Sequence, residues 1–192
     1  MSEFDKLAPW RVLDTRRPID NRFLTIREID YELPNGHQMT DYYVADKSDV
    51  AVVVPYRDGK TYLIKEWERG IGDVGYKFPA GRVDPGETPE RAGMRELEEE
   101  TGLRALGIIS LGVSHVEPGF MTTKAHHFLC TDFEEGDGKV EDPKELFVGE
   151  WVEFEAVGNM ILHNEIKNPF VIVSYMYAQN VLAGQHAHDL QT

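Results

Sequence analysis

The pattern of apolar and polar residues predicts a chain rich in short strands. Residues 22–32 and 39–45 alternate in the manner of exposed strands and flank a turn sequence, so they predict a β-hairpin. This hairpin has few apolar residues of its own, and we expect it to lie against another part of the structure. A continuous apolar run at residues 50–54 predicts a buried strand. Further strands are predicted at residues 61–64, 108–113, 126–130 and 150–154. Residues 70–75 predict a loop, and residues 76–81 a short edge segment ended by Pro79 and Gly81.

Two segments have a helical pattern. The clearer one covers residues 89–101, where Thr88 can cap the first turn, Pro89 suits the first helical position and Gly102 can end the helix. Residues 168–182 predict an apolar helix near the C-terminus. Because strands and helices mix without strict alternation, the pattern favours an α+β fold with a mixed sheet.

Composition restricts the class of protein. The 192 residues suffice for one domain with a short appendage, and 41% apolar with 28% charged residues is a globular composition. The formal net charge is −14 and Lys and Arg form no cluster, so we expect neither nucleic acid nor a membrane surface as a partner. A single cysteine and an acidic N-terminus without an apolar segment favour a cytoplasmic location.

Three carboxylates share one side of the clearer helix. Glu96, Glu99 and Glu100 are spaced i, i+3 and i+4, which places them in one stripe. Like charges at this spacing destabilise an isolated helix, and a cation among them reverses that effect. Mg²⁺ binds oxygen ligands and commonly joins one or two carboxylates to a substrate phosphate. The stripe therefore indicates a metal site, and a solvated acidic helix is the alternative.

The residues before this helix strengthen the metal interpretation. Residues 79–81 predict a turn whose carbonyl groups can face a metal ion. Glu87 is placed to pair with Arg95 and so to hold the preceding loop against the helix. Arg95 could instead pair with Glu99 on the surface, but that interpretation leaves the spacing of the loop unexplained.

The whole segment resembles a known motif. Nine defined positions across residues 81–103 resemble the Nudix box without a departure: Gly81, Glu87, Arg95, Glu96, Leu97, Glu99, Glu100, Gly102 and Leu103. The resemblance implies an α/β/α sandwich and metal-dependent hydrolysis of a nucleoside diphosphate linked to another group. It also implies that Glu96, Glu99, Glu100 and the backbone carbonyl of Ala80 bind Mg²⁺, or Mn²⁺ in its place.

Beyond the box, the chain looks like the ADP-ribose and nucleotide-sugar pyrophosphatase branch of that family. The features that carry this resemblance are the N-terminal hairpin, residues 79–81 and Pro118. The branch implies a homodimer in which residues 1–45 form a β segment that crosses to the partner. Residues 46–184 would then form the hydrolase domain, and residues 185–192 a flexible tail. An ordinary hairpin on its own subunit is the alternative to the exchanged segment.

The same branch implies a general base and a set of substrate-binding residues. Its base comes from a glutamate in the acidic loop after the box, which corresponds to Glu145, with Glu141 as the nearest rival. If neither is the base, Glu99 is the remaining candidate. Phe23 corresponds to an aromatic residue that stacks on the nucleobase, and a buried core position is an equal alternative for it. Arg69, Pro118 and Gly119 are the other predicted contacts with substrate.

Two departures from the branch leave the substrate open. Glu68 and Lys77 stand where the branch commonly has Arg and Glu, and the exchanged pair could form a salt bridge with altered phosphate contacts. We expect a nucleoside diphosphate sugar or ADP-ribose as substrate, cleaved to a nucleoside monophosphate and a sugar phosphate. A dinucleoside polyphosphate is the alternative substrate. The alternative to an enzyme is a sensor protein that binds nucleotide sugars without turnover.

Overall fold

The computed structural model describes residues 8–136 and 146–189 of the chain. These residues divide into two compact units. One unit contains residues 8–47 and 115–123, and the other contains the remaining described residues, from 48 to 114 and beyond 123.

The first unit is a three-stranded antiparallel sheet. Its strands follow chain order: β1 (Arg11–Asp20), β2 (Thr25–Glu32) and β3 (Gln38–Asp46). The second and third are the predicted hairpin, whereas β1 was not predicted from the sequence. Every residue of β1 is exposed, so the strand lacks the alternating apolar pattern that reveals a half-buried strand. Antiparallel backbone pairing holds it to β2. Ion pairs accompany this pairing, with Arg16 lying 2.7 Å from Glu28 and 2.9 Å from Asp30.

The second unit has a mixed sheet between helices. Its elements are β4 (Val50–Arg57), β5 (Lys60–Glu68), β6 (Asp73–Lys77), β7 (Ala80–Arg82), α1 (Pro89–Thr101), β8 (Leu103–His115), β9 (Lys124–Glu135), β10 (Phe147–Glu153), α2 (Phe154–Leu162) and α3 (Pro169–Asp189). The strand order is β10-β5-β4-β9-β8, with β6 beside β5 and β7 beside β4. Strand β4 runs parallel to β9 and antiparallel to β5 and β7. The predicted α+β class with a mixed sheet is confirmed.

Strand β4 lies at the centre of the core and is buried on both faces. Val52 and Val54 pack in a cluster with residues of α2 and α3. Ala51 and Val53 alternate with them and pack against α1, where Ala51 shares a cluster with the fully buried Ala92. Side chains alternate across a strand, so one continuous apolar run supplies both layers of the core.

Helix α1 has the bounds that its capping residues predict. The Thr88 hydroxyl oxygen accepts the N–H of Arg91 at 3.3 Å, and Pro89 occupies the first turn. Gly102 ends the helix in the left-handed region with φ 75°, and its N–H donates to the carbonyl of Glu98 at 2.8 Å. A left-handed residue at this position favours glycine, which explains why the helix stops there.

Elsewhere the element bounds differ from the prediction. The strand predicted at 150–154 ends one residue earlier, and a separate helix, α2, begins at Phe154. Helix α3 continues to Asp189, into the segment expected to be a tail. Strand β6 begins at Asp73, three residues before the edge segment predicted from residue 76, because it pairs with β5. No helix among the described residues is both long enough and apolar enough to cross a membrane.

One buried polar network connects the sheet to the C-terminal helix. His127 is fully buried on β9, and its ring nitrogens lie 2.8 Å from the Ser114 hydroxyl and 2.7 Å from the Ser174 hydroxyl. Burial, with a smaller contribution from the neighbouring His126, lowers the pKa of His127 from 6.5 to about 4. The histidine therefore folds in its neutral form.

This pKa predicts acid sensitivity. Between pH 6.5 and about 4, the unfolded chain binds a proton at His127 that the folded chain does not bind. The stability that the neutral histidine contributes is therefore complete above pH 6.5 and is lost as the pH falls toward 4. We expect His127→Gln to flatten the acid side of the stability profile by about 2–3 kcal/mol. Urea unfolding between pH 4 and 8 measures this, with the exposed His37→Gln as control; equal slopes in wild type and His127→Gln would contradict it.

Candidate active site

The geometry of this site begins with a single arginine on α1 that forms hydrogen bonds with three carboxylates, those of Glu87, Glu96 and Glu99. Arg95 holds Glu87 in a two-point contact, with nitrogen–oxygen distances of 3.1 and 3.0 Å. Its Nη1 also donates to Glu96 at 2.7 Å and to Glu99 at 3.0 Å. Its Nη2 reaches the backbone carbonyl of Arg82 on β7 at 3.0 Å. The arginine therefore fixes the preceding loop, strand β7 and two of the stripe carboxylates to one another.

Glu100, the one carboxylate of the stripe that Arg95 does not hold, is buried and has other hydrogen-bond partners. Glu100 is 4% exposed, and its Oε1 lies 2.7 Å from the ammonium group of Lys77, at the end of β6. Its Oε2 accepts the backbone N–H of Ala80, at the start of β7, at 3.0 Å. Lys77 also lies 3.2 Å from Glu66 on β5. Both oxygens of Glu100 are thus engaged by the segment that precedes the helix.

Gly81 leaves the space that Glu96 fills. A Cβ atom built at Gly81 would overlap the carboxylate of Glu96, so a side chain at this position of β7 requires the Glu96 carboxylate to move from its place. Gly81 is paired with Ala51 of β4, which restricts how far its backbone can move. The sheet and the helix therefore meet at a glycine directly beneath a carboxylate.

The pKa values reflect burial of negative charge. Burial raises the pKa of the Glu100 carboxyl to about 7, although Lys77 and the Ala80 N–H act in the opposite direction. Burial also raises the pKa of Glu96, against the influence of Arg95. The more exposed Glu87 differs, because its hydrogen bonds with Arg95 lower its pKa. Positive charge brought to Glu96 and Glu100 would favour their ionised forms.

The donor set suits a hard divalent cation. Three carboxylates lie along one helix face, and two of them, Glu96 and Glu99, are held by one guanidinium. Within the part of the chain that the structure describes, no three acidic, His or Cys side chains already converge as a metal site. Arg95 and Lys77 take the hydrogen bonds of these carboxylates instead. Carboxylate oxygens are the ligands that Mg²⁺ and Mn²⁺ prefer in proteins.

The other predicted residues lie in different places. Phe23 is 58% exposed in the turn between β1 and β2, with the Arg22 guanidinium 4.3 Å from its ring centre, so it is not a core residue. Pro118 and Gly119 belong to the same unit as Phe23, and the Gly119 carbonyl accepts the Tyr42 hydroxyl. Arg69 belongs to the unit that contains α1 and lies in the turn after β5. Glu141 and Glu145 lie outside the described residues.

The suggested salt bridge between Lys77 and Glu68 is wrong. Lys77 pairs with Glu66 and Glu100, while Glu68 accepts a hydrogen bond from the Asn168 side chain at 3.2 Å. The β5–β6 register explains the difference, because it sets Glu68 opposite Asp73, at the far end of β6 from Lys77. Sequence reasoning noticed Lys77 as a departure but had no signal for its contact with Glu100, 23 residues away.

The fold is one that other proteins share. A crystal structure described as an ADP compounds hydrolase superposes with a TM-score of 0.82 at 21% identity, covering 94% of this chain and 97% of that one. At this identity the similarity shows the fold alone.

Sequence comparison then identifies the family. A model of the NUDIX domain matches residues 46–172, more than half of the chain, and the chain therefore belongs to the Nudix family. ADP-ribose pyrophosphatase of Bacillus subtilis is 33% identical over 124 residues, which span 65% of this chain and 65% of that protein. ADP compounds hydrolase NudE of Escherichia coli is 25% identical over 141 residues, 73% of this chain and 76% of that protein. The match thus leaves about a third of the Bacillus protein uncovered.

The Gly81 contact generates a stability prediction. In Gly81→Ala the new methyl group overlaps the Glu96 carboxylate, which must then leave its hydrogen bond with Arg95, so we expect a loss of about 1 kcal/mol in the free energy of unfolding. Gly107→Ala is the matched control, since nothing lies within 4 Å of its Cβ position and its φ is ordinary. Urea denaturation compares the two, and equal stability of both variants would show that the Glu96 carboxylate does not need the space.

Proposed function

We propose that this protein is a metal-dependent pyrophosphohydrolase that cleaves a nucleoside diphosphate sugar or ADP-ribose. The observation that carries the proposal is the set of carboxylates on α1, held in place by Arg95 and seated against Gly81. The names of the relatives from Bacillus subtilis and Escherichia coli support a nucleoside diphosphate derivative as the substrate class.

The proposed reaction is hydrolysis of the diphosphate. The oxygen of a water molecule forms a bond to one phosphorus, the bond from that phosphorus to the bridging oxygen breaks, and the bridging oxygen leaves with the other phosphate. The products are a nucleoside monophosphate and a sugar phosphate. A divalent cation supplies neutralisation of the diphosphate oxygens and a lower pKa for water when it is bound.

The residues of this chain have distinct parts in the proposal. Glu96, Glu99, Glu100 and the Ala80 carbonyl would hold the cation, with Mg²⁺ as the expected ion and Mn²⁺ as the alternative. Arg95 keeps Glu96 and Glu99 in fixed orientations through the hydrogen bonds described above. Fixed ligands reduce the reorganisation that the reaction requires. Glu145 is proposed to accept the proton of the attacking water, from its correspondence with the family base.

Four residues are proposed to contact the substrate. Phe23 would stack on the nucleobase, and its exposed ring is available for stacking. Arg69, Pro118 and Gly119 would contact the remainder of the substrate.

The proposal includes a homodimer built through the N-terminal sheet. Strand β1 and the residue before it expose several large apolar side chains, each between 39% and 54% accessible: Trp10, Val12, Leu13 and Ile19. Apolar side chains grouped on an exposed edge strand favour coverage by another surface. Light scattering measures the mass in solution, and a monomer at micromolar concentration would contradict the dimer.

A substrate panel tests the proposed activity. With Mg²⁺ or Mn²⁺, we expect ADP-ribose or one nucleotide sugar to yield a phosphomonoester, read as phosphate released by a coupled phosphatase. Glu100→Gln removes an anionic ligand and should lower the rate by about 10²-fold or more, whereas Glu98→Gln, off the stripe, should not. If the protein hydrolyses only dinucleoside polyphosphates, these compounds replace nucleotide sugars and ADP-ribose as the proposed substrate class. If the protein binds nucleotide sugars tightly and forms no product, it is a sensor and not an enzyme.

The general base has its own test. We expect Glu145→Gln to lower kcat by roughly 10²- to 10⁴-fold with little change in KM and to remove the acid limb of the pH–rate profile, because the group whose protonation stops catalysis is gone. Metal affinity should stay constant. The same change at Glu141 should cost much less. A dead Glu141→Gln protein would move the base to Glu141, and normal rates in both variants would transfer the role to Glu99.

A further inference from the structure

The buried pair of Lys77 and Glu100 places a protein cation where the proposed function requires a metal ligand. The Lys77 ammonium lies 2.7 Å from Glu100 Oε1, and the two side chains are only 17% and 5% exposed. The other oxygen of Glu100 is held by the Ala80 N–H at 3.0 Å. A divalent ion that binds Glu100 must therefore displace the ammonium or share the carboxylate with it.

We propose that Lys77 competes with the divalent cation for Glu100 and thereby sets the affinity of the metal site. This inference rests on the proposed function, because it takes Glu100 as a metal ligand. Two positive charges at one buried carboxylate repel each other strongly, since little water screens them. The protein therefore holds its metal more weakly than the same carboxylates would without Lys77.

Glu66 gives the displaced ammonium a second partner. Its Oε2 lies 3.2 Å from the Lys77 nitrogen, and its side chain is 29% exposed, more than that of Glu100. Lys77 can therefore leave Glu100 without losing every anionic contact. In the absence of metal, the Lys77 ammonium group compensates the buried negative charge of Glu100. When metal binds Glu100, the ammonium group moves toward Glu66.

Removing the lysine charge tests the competition directly. Mn²⁺ binding, measured by electron paramagnetic resonance of the free ion, should be at least tenfold tighter in Lys77→Gln than in wild type. Its metal-dependent rise in Tm should also be larger, because tighter binding to the folded state gives greater stabilisation. Lys65→Gln is the matched control: it removes the same charge from β5, but Lys65 lies over the Tyr76 ring and not on Glu100. Its affinity for Mn²⁺ should stay within about twofold of wild type.

A second variant tests whether Glu66 is the alternative partner of Lys77. It also tests the competition if Lys77→Gln does not fold. Glu66→Gln confines the ammonium to Glu100, so Mn²⁺ binding should weaken several-fold. In the Lys77→Gln background the same change should have no effect, which separates a partner of the lysine from a metal ligand. Unchanged or weaker binding in Lys77→Gln, or tighter binding in Glu66→Gln, would overturn the competition.

The outcomes separate the inference from the proposed function. If wild type binds Mn²⁺, Glu100→Gln abolishes that binding and Lys77→Gln leaves it unchanged, the competition is wrong and the metal site stands. If neither wild type nor Lys77→Gln binds Mn²⁺ at millimolar concentration, the metal site itself is wrong, and the inference fails with it.

Discussion

Burial of negative charge is the constraint around which the second unit is arranged. A carboxylate removed from water needs hydrogen bonds and positive charge nearby, or it loses its charge. Glu100 obtains these from Lys77 and the Ala80 N–H, and Glu96 obtains them from Arg95. The close seating of α1 on β7, the glycine at position 81 and the lysine at the end of β6 all follow from placing these carboxylates against a sheet.

Local features of the site were readable from the sequence, and contacts across the sheet were not. The bounds of α1 depend on Thr88, Pro89 and Gly102, which act within one turn of the helix, so the chain itself specifies them. The contact between Lys77 and Glu100 depends on strand register, which no short pattern encodes. A shift of β6 along β5 would have presented Glu68 to the lysine instead.

The same distinction explains the errors in the fold. Strand β1 was missed because all of its residues are exposed and its pairing with β2 is made by the backbone, which leaves no apolar alternation in the sequence. Helix α2 follows β10 with no intervening residue, so the apolar residues of the two elements merge into one pattern. Of the residues expected to recognise substrate, Phe23, Pro118 and Gly119 belong to the first unit and Arg69 to the second.

The small side chains between α1 and β4 also control the site from a distance. Ala51 and Ala92 are fully buried and belong to the same cluster, and Ala51 is paired with Gly81. Their small size permits a close approach of the helix to the sheet. A larger residue at either position would lift the helix and carry Glu96 and Glu100 with it, away from the backbone of β7. The distance between the carboxylates of α1 and the backbone of β7 thus depends on the packing of buried, uncharged residues.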